Sequence, residues 1–304
     1  MGHVIRSLAL ADMLKNKFEC VFVTRYINQY IVNEIEKSCS SFIILEKKEN
    51  HFKEFLKLIQ EKDIVVLDNY FFSTNYQKKI KKIGCKLICI DDTHDKNYVS
   101  DVVINHGPGL TSDQFTIESY TKLYIGLDYA LLRKPFLNVV QKNRNDIKKC
   151  LVCIGGVDKY NITLKIIKLL EKNKNINRID VVIGSGFLFK DELDNYIIKC
   201  NKEVKLYSNL SSVSMLNRMQ KADFGIFPAS SISLEAISVG LPFLVGYYVE
   251  NQKELYRNLT IKYNLLGLGN FLNLNKISIN KLILKSKINL KTSSKKLVEI
   301  FNQL

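Results

Sequence analysis

The chain has 304 residues, 46% hydrophobic and 25% charged, a balance that excludes a disordered protein and suits two folded domains. No run approaches the ~18 apolar residues of a bilayer-spanning helix and nothing at Met1 reads as a secretory signal, so a cytoplasmic protein without stable membrane insertion is expected. The net charge of +15 admits nucleic acid as a partner, but only 7 of the 45 basic residues are arginine and the lysines are spread along the chain; no nucleic-acid role is expected, and a small anionic substrate fits the charge equally well.

In chain order, the first motif is Met1-Gly2-His3-Val4-Ile5-Arg6-Ser7-Leu8-Ala9-Leu10-Ala11. Its spacing predicts an apolar helix from about Val4, with Gly2 and His3 on the N-terminal side, where backbone N–H groups and the positive end of the helix dipole can face a ligand. An imidazole held neutral there can accept a proton; an ordinary surface histidine is the alternative. No strand leads into this helix, although the strand before a glycine turn is normally the central one of a doubly wound domain, so a shortened N-terminus is expected.

Short continuous apolar runs follow at Cys20–Val23, Ile64–Leu67, Leu87–Ile90, Val102–Ile104, Leu151–Ile154, Val181–Ile183, Phe224–Phe227 and Phe243–Val245. Such runs are strands covered on both faces, and stretches of helical spacing between them, as at Ile162, Ile166, Ile167 and Leu170, make a parallel sheet with helices on both sides. Asp91-Asp92-Thr93-His94-Asp95 reads as a strand-end turn whose acids cap backbone, in preference to a divalent-metal site, since no matching carboxylate cluster is evident elsewhere. Lys78, Lys79, Lys81 and Lys82 read as a solvated helix face. The seven cysteines lack a disulfide-scaffold spacing, and Cys20, Cys85, Cys89, Cys150 and Cys153 read as buried reduced thiols. Cys150-x-x-Cys153 is half a zinc site with no second pair, so neither metal nor cofactor is expected.

The polar segment 138–149 has no apolar periodicity and reads as a linker. It divides the chain into an N-terminal domain, 1–137, and a C-terminal domain, 150–304. The expected fold class is α/β, with two Rossmann-like domains facing a cleft and the first N-terminal strand missing. In the second domain, Leu151-Val152-Cys153-Ile154-Gly155-Gly156-Val157-Asp158 ends a strand in two glycines, which lets backbone amides approach a phosphate; a tight strand-to-helix turn is the alternative. Gly184-Ser185-Gly186 follows the next strand. In Ser230-Ser231-Ile232-Ser233-Leu234-Glu235 through Gly240-Leu241-Pro242, Ser231 and Ser233 either hydrogen-bond phosphate or cap the helix. Glu235 either grips ribose hydroxyls or complements the dipole. Glu250-Asn251-Gln252 lies beyond the end of a strand and either faces the cleft or forms a polar loop.

Taken in this order, the segments resemble the UDP-sugar hydrolase family of pseudaminic acid biosynthesis, which releases 2,4-diacetamido-2,4,6-trideoxy-L-altrose from UDP. Gly2-His3-Val4-x-Arg6-x-x-x-Leu10-Ala11 is similar to the family's opening motif. Ile90-Asp91-Asp92, Asp101-Val102-Val103-Ile104-Asn105 and Tyr124-Ile125-Gly126-Leu127-Asp128-Tyr129-Ala130-Leu131-Leu132-Arg133 are similar to its N-domain pattern. Ile154-Gly155-Gly156-Val157-Asp158 and Ser233-Leu234-Glu235 through Asn251-Gln252 are similar to its C-domain. The resemblance implies a GT-B-like fold of the MurG type with UDP held mainly by the C-terminal domain.

It further implies that His3 is the general base and that Asn251 positions the substrate. Glu235 would hold the ribose, and Gly155, Gly156, Ser231 and Ser233 would surround the nucleotide. Gly2, Arg6 and Gln252, from the same motifs, complete the implied substrate-binding set. The implied reaction breaks the anomeric C1–O bond with inversion, without a metal, in a monomer. The alternative is a GT-B glycosyltransferase using a UDP-sugar donor, and a non-catalytic nucleotide-sugar binder is a third possibility.

Overall fold

The computed structural model describes residues 2–46, 50–142, 144, 146–279, 290 and 293–304. Its contacts divide the chain into two units, Met1–Lys134 with Thr292–Leu304, and Pro135–Lys291.

The first unit runs α1 (Gly2–Leu14), β1 (Val21–Thr24), α2 (Gln29–Ser38), β2 (Ser41–Ile44), α3 (His51–Leu58), β3 (Ile64–Leu67), α4 (Thr74–Lys81), β4 (Lys86–Ile90), β5 (Asn97–Tyr98), β6 (Val102–Asn105), β7 (Thr116–Ile117) and β8 (Lys122–Ile125). The second runs β9 (Lys149–Val152), α5 (Ile162–Glu171), β10 (Arg178–Ile183), α6 (Lys190–Lys199), β11 (Glu203–Ser208), α7 (Ser212–Lys221), β12 (Phe224–Pro228), α8 (Ser231–Val239), β13 (Phe243–Tyr247), α9 (Lys253–Lys262) and β14 (Leu266–Asn270). The last helix, α10 (Ser293–Asn302), returns to the first unit.

Helix α1 starts at Gly2, earlier than the expected Val4, and places His3 inside its first turn. Arg6 holds that turn down through ion pairs to Asp68 and Asp92. Leu8 packs with Ile31 and Ile35 of α2, while Leu10 and Leu14 pack with Ile88, Ile90 and Val102. Parallel pairing gives a four-stranded sheet ordered β3-β4-β6-β8, a separate pair β1-β2 and a small pair β5-β7.

The second unit is one six-stranded parallel sheet ordered β11-β10-β9-β12-β13-β14. Counted from β9, this is the doubly wound order 3-2-1-4-5-6, whose direction reverses between β9 and β12. Ligands of open parallel sheets bind beyond the carboxyl ends of the strands at that point, because the connecting loops part to opposite faces there. The α5 stripe of Ile162, Ile166, Ile167 and Leu170 is buried in the core, as its spacing predicts.

The contact units depart from the expected domain boundaries. Leu297, Ile300 and Phe301 of α10 join the cluster containing Leu10, Leu14, Ile88 and Ile90, and Lys296 pairs with Asp128. The expected span 150–304 therefore does not hold to the end: an apolar stripe at helical spacing finds its core in the first unit. The expected linker 138–149 also does more than connect. The Gln141 amide donates to the carbonyls of Ile237 and Ser238, each at 3.3 Å. Arg144 donates to Gly240 O at 2.8 Å, Ala222 O at 3.0 Å and Met219 O at 3.2 Å. One guanidinium thus satisfies carbonyls that the ends of both α7 and α8 leave without helical partners. Among the described residues, no helix is long and apolar enough to cross a membrane.

Arg144→Ala removes all three bonds and leaves those carbonyls short of donors. A loss of about 2 kcal/mol in urea denaturation is expected, the usual effect of deleting a charged donor. A loss below ~0.5 kcal/mol would show that water replaces the strap.

Candidate functional site

In the first unit, the carboxyl ends of three adjacent strands deliver polar groups to one place: Asp68 follows β3, Asp91 and Asp92 follow β4, and His106 follows β6. The first two turns of α1 supply His3, Arg6 and Ser7. His3 Nδ1 lies 2.7 Å from Asp68 Oδ1, Ser7 Oγ donates to Asp68 Oδ2 at 2.8 Å, and Arg6 Nε donates to Asp68 at 2.8 and 2.9 Å. Arg6 also bonds Asp92, and its Nη2 lies 3.1 Å from His3 Nδ1.

These distances decide the imidazole tautomer. A carboxylate oxygen and a ring nitrogen at 2.7 Å require a proton between them, so Nδ1–H donates to Asp68, and Arg6, which can only donate, merely lies close. In the neutral imidazole this tautomer places the lone pair on Nε2. The His3 side chain is 24% exposed and that of Asp92 21%, whereas Asp68 and Arg6 are nearly buried, so the imidazole is among the groups open to a reactant. Tyr70 covers it edge-on with ring centroids 4.6 Å apart, and the Tyr70 hydroxyl donates to Asp92 at 3.0 Å.

Burial works against ionising Asp68, but hydrogen bonds from His3 and Arg6 and the Arg6 charge outweigh it, and the carboxyl stays below its ordinary range. Asp92 is likewise opposed by burial and held low overall by Arg6 and His106. His106 goes the other way: burial, with help from the Arg6 charge, brings its imidazole down to about 4. It is 6% exposed, and its Nδ1 has no hydrogen-bond partner.

Asp91 accepts from the backbone N–H of Thr93 at 3.1 Å and of His94 at 2.9 Å, from Asn105 Nδ2 at 2.9 Å, and from Tyr98 OH. That is the strand-end turn read from the sequence. Among the described residues no group of three or more His, Cys, Asp or Glu stands in metal-binding arrangement. On α4, Lys81 pairs with Asp101 and Lys79 lies over the Phe52 ring at 5.4 Å.

In the second unit, Gly155 and Gly156 follow β9 while Ser230 and Ser231 follow β12, so both motifs stand at the point where the strand order reverses. Gly155 has φ +107°, closed to most side chains, and a Cβ on Gly184 would sit 2.5 Å from Gly156 Cα. The two helix starts are not equivalent. Asp158, 2% exposed, accepts from Ile162 N at 2.9 Å and Thr163 N at 2.8 Å, so a carboxylate already occupies the N-terminus of α5. Helix α8 has no side-chain cap at Ser230, and Ser231 is partly exposed. Asp158 therefore caps the first amides of α5, whereas the start of α8 has no side-chain cap at Ser230.

Several expected contacts need correction. Arg6 is 5% exposed with its donors committed to Asp68 and Asp92, so it positions the acids and is not free to grip a substrate. Ser233 is fully buried and donates to Pro228 O at 2.7 Å, which ties α8 to β12 and removes the residue from ligand contact. Gln252 is 8% exposed and accepts from Tyr248 N at 3.1 Å, shaping its own loop. Glu235 is 4% exposed in the buried part of α8, Asn251 is exposed, and Gly2 is exposed at the start of α1. Sequence reasoning missed Asp68, Tyr70 and His106. For Asp68 the signal was present: an acid directly after the apolar run Ile64–Leu67.

Parallel sheets flanked by helices in both units, the second of them doubly wound, give this chain the GT-B fold. Solved structures agree: S. aureus MnaA with UDP matches at TM-score 0.61 and 13% identity, over 98% of this chain and 86% of that one. Acinetobacter baumannii MurG matches at TM-score 0.59 and 11% identity, over 99% and 86%. Within that class, the chain is a distant relative of the UDP-2,4-diacetamido-2,4,6-trideoxy-beta-L-altropyranose hydrolase of Campylobacter jejuni, 25% identical over 83% of this chain and 88% of the relative. It is also 27% identical to the Bacillus subtilis spore coat polysaccharide biosynthesis protein SpsG, over 88% of this chain and 80% of the relative. An uncharacterized protein of Methanocaldococcus jannaschii is 31% identical over 84% of this chain, which spans about half, 54%, of that relative. No protein-family profile matches the chain.

The buried groups set the acid response. Unfolded His106 takes up a proton near its reference value of ~6.5, whereas the folded one waits until about 4, so stability falls as pH drops from 6.5 to 4. The slope is at most one proton, about 1.4 kcal/mol per pH unit. Asp68 and Asp92, both held low, keep their contribution above ~pH 4 and lose it on further acidification. Urea melts at pH 6.5 and 4.5 should show the first loss, and His106→Asn should flatten it; an equal loss in the variant would assign it elsewhere.

Proposed function

We propose that this chain is a UDP-sugar hydrolase that converts UDP-2,4-diacetamido-2,4,6-trideoxy-β-L-altrose to UDP and free sugar, a step in pseudaminic acid biosynthesis. The observation that carries the proposal is the His3–Asp68 pair at 2.7 Å, whose neutral tautomer has Nε2 as the proton acceptor, in a chain that aligns along 88% of the C. jejuni hydrolase.

In the proposed reaction a water oxygen bonds to the anomeric carbon as the bond from C1 to the diphosphate oxygen breaks. His3 Nε2 takes the water proton, and the bonding electrons of C1–O leave with UDP. Attack opposite the leaving group inverts C1. The imidazolium that forms is stabilised by Asp68, which holds Nδ1–H throughout and need not itself be protonated. Charge developing on the departing diphosphate is met by backbone donors at Gly155 and Gly156 and by the start of α8 with Ser231. Glu235 is assigned the ribose hydroxyls and Asn251 the positioning of the substrate. No metal enters this chemistry.

A proton NMR time course with this substrate, EDTA present, tests the reading directly. Free inverted sugar and UDP with water as sole acceptor are expected. Turnover that requires an added sugar or lipid acceptor would make the protein a transferase. His3→Ala should leave the Kd for UDP within about twofold and lower turnover ~100-fold or more, the usual share of a general base; unchanged turnover would remove His3 from the reaction. Glu235→Ala should chiefly weaken UDP binding, read by calorimetry, and an unaltered Kd would return Glu235 to a packing role.

A further inference from the structure

The glycine turn after β9 is held at both ends by groups outside it. Strand β9 ends at Val152, so Ile154, buried two residues further on, lies past the ladder. Its carbonyl accepts from the Tyr248 hydroxyl at 3.2 Å. Tyr248 stands just beyond β13, and β9 and β13 flank β12 in the sheet, so the phenol bridges the strands on either side of the one that leads into α8. At the other end of the turn, Gly156 O accepts from Gly186 N at 3.1 Å. The Gly184-Ser185-Gly186 turn can come this close because Gly184 lacks a Cβ, which would stand 2.6 Å from Gly156 O.

A trans peptide points its C=O and N–H in opposite directions. Holding Ile154 O therefore sets the direction of Gly155 N–H, and holding Gly156 O sets that of Val157 N–H. Among the described residues neither of these N–H groups, nor that of Gly156 between them, donates to a protein acceptor. Successive amides left open in this way suit an anion. The Tyr248 side chain is itself placed by its surroundings. Tyr160 meets its ring edge-on with centroids 6.4 Å apart, and Gln252 accepts from Tyr248 N at 3.1 Å. Burial, with help from the Asp158 charge, pushes the phenol above its ordinary value, so at neutral pH it keeps the proton that it donates.

We propose that Tyr248 is a positioning residue for the diphosphate: its hydroxyl holds the Ile154–Gly155 peptide and so keeps Gly155 N–H, and the amides that follow it, turned toward the ligand. The inference rests on the reading that the glycine turn meets the diphosphate of a UDP-sugar, and it adds the side chain that sets the turn. Tyr248 acts through the backbone and touches no reacting atom. Without its hydroxyl the peptide plane is free to turn, and part of the phosphate interaction goes into ordering it again. The effect is confined to ligands that carry phosphate.

Calorimetric titration of the wild type and Tyr248→Phe with UDP and with uridine is the test. The variant keeps the ring and loses the bond. Its Kd for UDP should rise about fivefold to tenfold, the usual weight of one hydrogen bond, with the Kd for uridine within about twofold. A residue that only packs its loop would change both ligands alike or neither, and either result overturns the proposal. A fluorinated tyrosine at position 248, close to the same shape but ionising nearer neutrality, serves if Tyr248→Phe does not fold. UDP affinity should then fall as that phenol loses its proton, because a phenolate cannot donate; affinity that tracks the wild type over the same pH range overturns the proposal. Amide NMR separates this inference from the reading beneath it. In the wild type the Gly155 and Gly156 resonances should shift with UDP and not with uridine. If they do not move, the diphosphate binds elsewhere and both ideas fall; if they move and the variant binds UDP as tightly, only the role of Tyr248 falls. Turnover is not read at any point, so the proposed hydrolysis is judged separately.

Discussion

A guanidinium in a protein interior must be paired, because removing an isolated charge from water costs several kcal/mol that packing cannot return. Arg6, buried one turn in from the start of α1, meets that requirement with Asp68 and Asp92. The consequences spread outward from this one constraint. It brings the start of a helix against the carboxyl ends of β3 and β4. It also gives Asp68 a cationic neighbour that keeps the carboxylate charged despite burial. Asp68 can then hold His3 Nδ1–H and fix which imidazole nitrogen faces outward, while Asp92 has an oxygen left for the Tyr70 hydroxyl. The arginine that looks like a substrate contact on paper works instead as the base plate of the site.

The second unit shows how a repeated architecture can cap one helix start with its own carboxylate and leave another without a side-chain cap. Strand–glycine–helix geometry occurs after β9, and strand–serine–helix geometry after β12. Each helix start offers backbone donors that need an acceptor. At α5 the acceptor is Asp158, built into the chain and buried at φ 40°, so the helix is complete as it stands. At α8 the nearest side chains are hydroxyls, and Ser233 turns back to bond its own preceding strand. A ligand carrying negative charge is favoured where the protein has not already supplied its own.

What could be read in advance follows how residues are buried. The eight continuous apolar runs all fall on or overlap strands, and most of those strands are largely buried, so nearly every side chain is apolar; β1 is the exception, with no buried residue. The strands that escaped notice are β2, β8, β11 and β14, and all four lie at sheet edges, where half the residues face water and the run is broken by Lys, Glu, Ser and Asn. The small β5-β7 pair is too short to leave a pattern. The C-terminal helix was recognisable as amphipathic, but an apolar stripe does not say which core will receive it. Nor does a polar segment such as Gln141–Arg144 show in its composition that it will bind the carbonyl ends of two helices.

The site divides along the same line. Sequence by itself determined the α/β class, the doubly wound pattern and the motifs at strand ends, because periodicity and glycine placement are local consequences of backbone geometry. It also placed His3 at a helix start and Gly155, Gly156 and Ser231 at turns able to meet phosphate. Only the tertiary structure decided that Arg6, Ser233 and Gln252 are committed internally, and that Asp68, Tyr70 and His106 belong with His3. The links from His3 and Arg6 to Asp68 join residues 65 and 62 positions apart through hydrogen bonds and burial. A hydrogen bond is fixed by where two chains meet in space, and no spacing along one chain encodes that position.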